Sequence, residues 1–387
     1  MFDRRLDRWR IAPAMLLVPA GAIVGFSTHD ALAASLDTDT LRPIIEVVLA
    51  VLLFWHAIHI RGGFFGGQGG TALRLLLIGV PLSVVLSLLI GLGLLPDLQW
   101  PAVLAIACVV VPVDFAPVVA FLHDERIPER VRNLLNVEEG YTDGILSPVL
   151  LFALAVAVGD HSASESVVHA VRDGIPHLGI AIVVGVALGS GIALCANAAD
   201  RRGWTSERSN RLILLCAPVL AYTLNVGLHG NGFLAAFICG IAFNGVRHYR
   251  DADRDSELID DVAFVLSGVV WFLVGAVAWY VFRDGVTLRV LLLTVLVVTV
   301  VRLVAIPLAL LGSPLSRPER RLLAVLGPRG TANIVLGLFA FNVLHGPAED
   351  AVLEATLLAV LGSVVIHGLL GPVLVARYAK AAAARTA

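Results

Sequence analysis

The feature that most constrains this chain is a series of about twelve apolar segments, most of them long enough to cross a lipid bilayer. The hydrocarbon core of a bilayer is about 30 Å thick and requires roughly 20 helical residues. A soluble domain with 58% hydrophobic and 15% charged residues could not cover its apolar surface. The sequence therefore predicts an all-α polytopic membrane protein. The predicted spans, A to L, are 11–27, 44–60, 75–95, 99–121, 141–158, 177–197, 210–227, 231–244, 262–281, 287–311, 321–343 and 352–375.

Arginine residues alternate between successive loops. The loops after spans B, D, F, H and J and both ends of the chain hold most of them, whereas the opposite loops hold mainly Arg42, Arg172 and Arg283. Because cytoplasmic loops carry an excess of Lys and Arg, this alternation predicts a multi-pass plasma-membrane protein with both termini in the cytoplasm. The sequence contains no GxxxxGK(S/T) motif, so it does not predict an ATP-driven pump. No cofactor and no nucleic-acid partner is expected.

Six charged residues are predicted at or near membrane depth. Ionisable groups there cost roughly 3 kcal/mol each on insertion scales, and they tend to be paired and functional. The alternative is that they form ion pairs that only hold the helical bundle together. The six are Asp114 in span D, Glu138 and Glu139 at the entrance of span E, Asp143 within span E, Arg302 in span J and Arg329 in span K.

Spans D and K also carry helix-breaking residues beside their charges. Proline removes a backbone donor and frees carbonyl groups that lipid cannot satisfy, so such breaks are tolerated where the backbone lines a cavity. D and K hold the penultimate places of A–E and G–L, and interrupted spans in matching positions indicate a transporter binding site. We expect the breaks to let half-helix ends and free carbonyls meet a cation. The breakers are Pro112 and Pro117 around Asp114, and Gly327, Pro328 and Gly330 around Arg329.

Glu139, Asp143 and Ser147 recur at four-residue spacing, which places them on one face of helix E. A carboxylate in a dry pocket that is balanced between desolvation and nearby positive groups can exchange a proton for a small cation. Oxygen-rich surroundings suit Na⁺ or Li⁺ better than soft metals. We therefore expect Na⁺ at Asp143 and Asp114, in competition with a proton.

Several motifs resemble those of NhaP-type sodium/proton antiporters, which are relatives of the mammalian sodium/hydrogen exchangers. The family's T-D-P, V-P-x-R-L-R-x-L and E-G-E-S-L-x-N-D motifs match Val113-Asp114, 127–132 and 138–143 in VPVDFAPVVAFLHDERIPERVRNLLNVEEGYTDG. LGPRGTANIVLGLF resembles the family's G-x-R-G span, and GNGFLAAFICGIAFNG resembles its S-G-F-L-A-x-F-x-x-G span. The resemblance runs from about span B to span L. It implies an inverted-repeat, NhaA-like antiporter fold with two crossing discontinuous helices.

The resemblance also implies an organisation of the chain as one membrane transporter domain, 1–387. It assigns first-repeat helices, largely on the dimerisation side, to 11–95, and core helices with the ion site and a linker helix to 99–197. Second-repeat helices would occupy 210–281, and the core helices of the second repeat 287–375. A homodimer with a mobile core that moves by elevator-like alternating access is implied.

Residue roles follow from the same resemblance. Asp143 would carry the ion and the proton, and Asp114 would help to coordinate the ion where the two unwound helices cross. Glu138 would pair with Arg302, and Arg329 would steady the residue before Asp143.

Some positions depart from the family pattern. Val113 stands in place of Thr, Thr142 in place of Asn and Glu139 in place of Ser, and the acid-bearing segment of the second helix reads FWHAIHI, with His56 and His59. Because Thr142 is not a carboxylate, the paired-Asp pattern associated with electrogenic exchange is missing, which favours one proton per cation. We interpret both histidines as packed or interfacial residues, with pH sensing as the alternative.

The sequence thus predicts a secondary Na⁺(Li⁺)/H⁺ antiporter, not an enzyme, and K⁺/H⁺ exchange is a close variant that it leaves open. An intramembrane aspartyl protease would use two carboxylates that share a proton. The G-x-G-D motif of such proteases is absent from the sequence, and a protease does not explain the two membrane arginines. A transporter fold that serves as a transport-inactive sensor or scaffold is the third hypothesis.

Overall fold

The computed structural model describes residues 13–28, 41–60, 65, 67–115, 118, 124, 126–159, 163–204, 206–247, 252–283 and 285–386. Within these ranges the protein is helical and contains no β-strand. The first seven helices are α1 (Pro13–Ser27), α2 (Leu41–Ile58), α3 (Gly69–Leu94), α4 (Trp100–Val110), α5 (Glu129–Val158), α6 (Ala163–Arg201) and α7 (Glu207–Gly227). The others are α8 (Gly232–Val246), α9 (Ala252–Phe282), α10 (Leu288–Ala309), α11 (Arg317–Val325), α12 (Thr331–Phe341) and α13 (Pro347–Thr386).

Apolar helix occupies all twelve predicted spans in the described part of the chain, which confirms the all-α polytopic prediction. Seven segments are long and apolar enough to cross a membrane: Gly69–Leu94, Glu129–Val158, Ile175–Arg201, Arg208–Gly227, Ser256–Phe282, Leu288–Ala309 and Pro347–Lys380. Five shorter apolar helices fill the remaining places: Leu16–Ser27, Pro43–Ile58, Trp100–Val110, Gly232–Val246 and Thr331–Phe341.

The predicted start of span E at 141 is wrong. Helix α5 begins at Glu129, directly after Pro128, and the polar stretch ERVRNLLN continues into the apolar part without a break. Glu138 and Glu139 therefore lie about a third of the way along the helix and not before its start, and they are only 1% and 7% exposed. Apolar length set the predicted boundary too late because these carboxylates face neighbouring helices and not water.

Spans D and K are both interrupted. In span K, the non-helical segment 326–330 separates α11 from α12. In span D, α4 ends at Val110 and residues 112–115 are non-helical. Pro112 lies at this break, where its ring and its missing N–H prevent the helix from continuing. Pro117 lies outside the described residues.

Helices α1 and α9 pack closely through glycine residues. A Cβ atom at Gly21 would overlap the carbonyl oxygen of Phe272, and one at Gly25 would lie 2.9 Å from Cα of Ala276. A Cβ atom at Gly275 would overlap the carbonyl oxygen of Val18. Small residues at such positions let helix backbones approach each other in a membrane, where van der Waals packing drives association.

Replacing Gly275 with Leu should separate α1 from α9, because the new side chain meets backbone that cannot move aside. We expect the free energy of unfolding to fall by about 1–3 kcal/mol, the usual effect of overpacking, measured as a lower thermal midpoint in detergent. Gly191→Leu is the matched control, because a Cβ atom at Gly191 on α6 has nothing within 4 Å. Equal midpoints for the two variants would contradict the close packing of α1 on α9.

Candidate functional site

Asp114 joins the two interrupted spans. Its backbone N–H donates to the carbonyl oxygen of Pro328 at 2.9 Å, and its Oδ2 accepts a hydrogen bond from the backbone N–H of Ala332 at 2.8 Å. Ala332 lies in the first turn of α12, where N–H groups lack helical partners and the helix dipole favours negative charge. A Cβ atom at Gly330 would lie 2.6 Å from Cγ of Asp114, so glycine is needed for this approach. The Asp114 carboxylate therefore caps α12.

The end of α4 is capped in return by side chains of the other interrupted span. The four consecutive carbonyl oxygens of residues 109–112 all accept hydrogen bonds from span K. Asn333 Nδ2 donates to the carbonyl of residue 109 at 2.8 Å and to that of residue 112 at 3.0 Å. Arg329 Nε donates to the carbonyl of residue 110 at 2.9 Å, and its Nη2 donates to that of residue 111 at 3.3 Å. Each such carbonyl left unsatisfied in hydrocarbon would cost several kcal/mol, so these two side chains make the break tolerable.

Arg329 is held on its other sides as well. Nη1 donates to the carbonyl oxygen of Gly327, and the backbone N–H of Arg329 donates to Ser363 Oγ of α13 at 2.7 Å. The Thr142 hydroxyl instead donates to the carbonyl oxygen of Glu138 at 2.5 Å, within its own helix. The hydrogen bonds described for the Arg329 side chain thus go to backbone carbonyls and not to Thr142, although both residues line one small cavity.

Arg302 and Glu138 form a buried, bidentate ion pair. Nη1 lies 2.6 Å from Oε1 and Nη2 lies 2.9 Å from Oε2. Nη2 also donates to the carbonyl oxygens of Leu323 and Leu326, both at 3.0 Å, at the end of α11. A Cβ atom at Gly327 would overlap the guanidinium group, which explains a glycine there. This pair ties α5 and α10 to the first half of span K.

Glu139 and Asp143 lie on the same face of α5. They converge on the crossing, which is the place where Asp114 of span D contacts span K. Glu139 Oε1 accepts a hydrogen bond from the backbone N–H of Phe115 at 2.7 Å, next to Asp114. His56 on α2 enters the same space: one potential ligand atom each from His56, Asp114 and Glu139 lies within 4.8 Å of the other two. Three acids and one histidine therefore share one buried site.

Asp143 differs from Asp114 and Glu139 because no backbone N–H of the described residues donates to it. Its side chain is fully buried, and neither of its oxygens has a hydrogen-bond partner among the described residues. Its ion-pair contact is His56 Nδ1, 3.4 Å from Oδ2, and that nitrogen has no hydrogen bond there either. A buried carboxylate in this state is neutralised by its own proton, by a bound cation or by a protonated His56.

Other predicted residues lie at the edge of this arrangement. Ser147 is buried, but its hydroxyl donates to the carbonyl oxygen of Gly144 at 3.4 Å in its own helix, one turn beyond Asp143. Val113 lies buried in the interrupted segment, where its side chain offers no polar atom.

Sequence reasoning did not place three residues in the site. His56 was interpreted as a packed or interfacial residue, Asn333 as an interhelical hydrogen-bonding group, and Ser363 was not singled out; the hydrogen bonds of Asn333 to α4 and Pro112 agree with its interpretation. Asn333 had a usable signal, because an amide three residues after Gly330 in an apolar helix can cap that helix, as its Oδ1 does by accepting the N–H of Gly330 at 2.9 Å. Ser363 had no comparable signal.

Glu138→Gln should destabilise the protein, because Arg302 would remain buried without its anionic partner. We expect a loss of about 3–5 kcal/mol in the free energy of unfolding, measured by thermal or denaturant unfolding in detergent. Adding Arg302→Met should recover part of this loss.

The matched control for this change is Asp97→Asn, which breaks an exposed ion pair between Arg289 Nη1 and Asp97 Oδ2 at 3.2 Å. Exposed pairs contribute about 0–1 kcal/mol. Similar losses for Glu138→Gln and Asp97→Asn would show that the buried pair has no special structural weight.

Comparison with solved structures supports the fold. The chain is similar to the sodium proton antiporter MjNhaP1 from Methanocaldococcus jannaschii at pH 8, with a TM-score of 0.81 and 19% identity over 97% of this chain and 94% of that chain. An electron-microscopy structure of the same antiporter gives a TM-score of 0.71 with 18% identity and the same coverage. At this identity the likeness establishes the antiporter fold alone.

The curated sequence relatives are longer than this chain. The chain is 25% identical over 346 residues to the Na(+)/H(+) antiporter ApNhaP of Aphanothece halophytica, covering 84% of this chain and 63% of that protein. It is 23% identical over 334 residues to the K(+)/H(+) antiporter NhaP2 of Shewanella sp. (strain MR-4), covering 86% of this chain and 57% of that protein. The chain thus spans less than two thirds of the length of either curated relative.

The family-level match is nearly complete. The model of the transmembrane sodium/hydrogen exchanger family matches residues 4–377. That range includes both interrupted spans and the acids between them, so the protein belongs to the transmembrane sodium/hydrogen exchanger family.

Proposed function

We propose that this protein is a secondary active antiporter that exchanges H⁺ for a monovalent cation, with Na⁺ or Li⁺ as the first candidates. The observation that carries the proposal is the Asp143 carboxylate, which is buried beside the crossing of two interrupted spans and has no hydrogen bond among the described residues. A proton and a cation would compete for this one acid. Alternating access would then expose the site to each side of the membrane in turn.

The hydrogen bonds separate the roles of the two aspartates. Asp114 Oδ2 holds the N–H of Ala332 and thereby the start of α12, so a change at this carboxylate disturbs the backbone. Asp143 holds no backbone group among the described residues, so it can gain or lose a proton without breaking a hydrogen bond. We therefore assign exchange to Asp143 and a fixed coordinating charge to Asp114.

Neighbouring groups complete the proposed site. Glu139 is anchored to the N–H of Phe115 and adds a second acid on the face of α5 that carries Asp143. The walls of the proposed site are shaped by three supporting residues, Thr142, Val113 and Ser147. A Na⁺ ion between Asp143 and Asp114 would be bound mainly by carboxylate and backbone oxygens, the ligands that hard cations prefer.

One relative is named for Na⁺/H⁺ exchange and another for K⁺/H⁺ exchange, so K⁺ is the second candidate. One proton per cation is proposed because, in the part of the chain that the structure describes, Asp143 is the single acid of the site without a hydrogen bond.

We also propose a plasma-membrane location with both termini in the cytoplasm, on the basis of the arginine-rich loops. We propose a homodimer whose contacts lie largely in 11–95. The moving core would include 99–197 and 287–375. In this arrangement the crossing would travel with the core.

Asp143→Asn should abolish cation-dependent proton movement, because an amide cannot carry a proton or neutralise a cation. The measurement uses liposomes with an imposed pH gradient, to which Na⁺, Li⁺ and K⁺ are added in turn. Asp97→Asn is the matched control, because the same change is made on an 84% exposed side chain. Transport that survives Asp143→Asn would remove this acid from the central role, and a folded wild-type protein without any cation response would favour the sensor hypothesis.

Gly330→Ala should impair transport while leaving Asp114 chemically intact. The added methyl group would lie 2.6 Å from Cγ of Asp114 and displace the carboxylate from the start of α12. A shift of this kind lowers rates by about tenfold to a hundredfold, measured as the initial rate of proton movement. Gly179→Ala is the control, because a Cβ atom there meets nothing within 4 Å; equal rates for both variants would contradict a need for close approach at Gly330.

A further inference from the structure

The imidazole of His56 introduces a nitrogen ligand into a site that otherwise offers oxygen. His56 comes from α2, Glu139 from α5 and Asp114 from the interrupted span D, so three separate parts of the fold contribute to the cluster. All three residues are at least nine-tenths buried. An alkali cation does not need an imidazole, whereas first-row divalent transition metal ions bind imidazole and carboxylate together.

The geometry is close to that of a metal site. One potential ligand atom from each of the three residues lies within 4.8 Å of the other two. Ligands bound at about 2.1 Å to one ion are roughly 3–4 Å apart, so a small contraction of the cluster would complete it.

Two carboxylates of the cluster are already oriented by backbone groups. The N–H of Phe115 donates to Glu139 at 2.7 Å, and the N–H of Ala332 donates to Asp114 at 2.8 Å. Groups that orient the ligands in this way raise the affinity of metal sites. His56 Nδ1 and both oxygens of Asp143 are buried without a hydrogen bond among the described residues. The site therefore contains potential metal-ligand atoms that have no hydrogen bond as well as ligand atoms that backbone N–H groups hold in place.

Charge also favours a divalent ion. Asp114, Glu139 and Asp143 would together carry three negative charges when ionised, and the hydrogen bonds of Arg302 and Arg329 are directed elsewhere. A monovalent cation would leave more of this charge uncompensated than a divalent ion in the same place.

We propose that this pocket binds a divalent first-row transition metal ion through His56, Asp114 and Glu139, with Asp143 beside them. The ion would occupy the site of the proposed monovalent cation and compete with it, and only this competition rests on the proposed antiport. The metal ion would either block transport or be transported itself. Both roles require that it binds to this pocket.

The test is titration of the purified full-length protein in detergent with Co²⁺, followed by its visible absorption, and with Zn²⁺ by calorimetry. We expect one ion per chain, no comparable binding of Mg²⁺, and weaker apparent affinity for Co²⁺ when Na⁺ is raised. His56→Gln removes a direct ligand and should lower the affinity by more than the roughly tenfold to hundredfold that loss of an outer-shell partner costs, and Glu139→Gln should lower it as well.

His59→Gln is the matched control on the same helix. The His59 ring contacts the carbonyl oxygen of Trp55 at 2.8 Å and Asp260 at 3.2 Å, away from the cluster. Binding that is unchanged in His56→Gln, binding that is lost in His59→Gln, or the absence of Co²⁺ and Zn²⁺ binding to wild-type protein would each overturn the proposal. The wild-type titration decides even where a variant fails to fold.

The outcomes are separable from those of the antiport experiment, because the titration requires no gradient and no transport. Metal binding without cation-dependent proton movement would contradict only the proposed function. Proton movement without metal binding would contradict only the metal site.

Discussion

The reciprocal capping of the two interrupted spans is the interaction on which the rest of the structure depends. The end of α4 exposes four carbonyls, which Arg329 and Asn333 satisfy, and the start of α12 exposes N–H groups, one of which Asp114 satisfies. Each charge thus lies at the helix end whose dipole it complements. Without both halves of this exchange, neither break would be stable in a region that lacks water.

The capping also decides which charges stay available. Arg329 is directed at carbonyls, and Arg302 is directed at Glu138 and the end of α11. Neither guanidinium group donates to Asp143 or Glu139 in the described hydrogen bonds. The two arginines therefore stabilise the backbone and the neighbouring acid, and the described hydrogen bonds of the acids around His56 do not come from them.

Much of this could be predicted from sequence, because apolar length and helix breakers act locally. The spans, the interruptions at Pro112 and around Arg329, and the common face of Glu139 and Asp143 all follow from residues close together in the chain. The hydrogen-bond partners of Asn333 could not be predicted in this way, because its side-chain amide donates to carbonyl groups more than two hundred positions earlier in the chain. The early start of α5 was missed because burial between helices gives charged residues no hydropathy signal.

Two departures from the family pattern are separate in the sequence and adjacent in space. The resemblance places a serine where Glu139 stands and an acid within the segment that reads FWHAIHI, and the structure brings Glu139 and His56 of that segment into one cluster. The first departure adds a carboxylate beside Asp143, and the second adds an imidazole nitrogen to an otherwise oxygen-lined site. Imidazole and carboxylate ligands suit different cations, so these two positions bear on which cations the site can prefer.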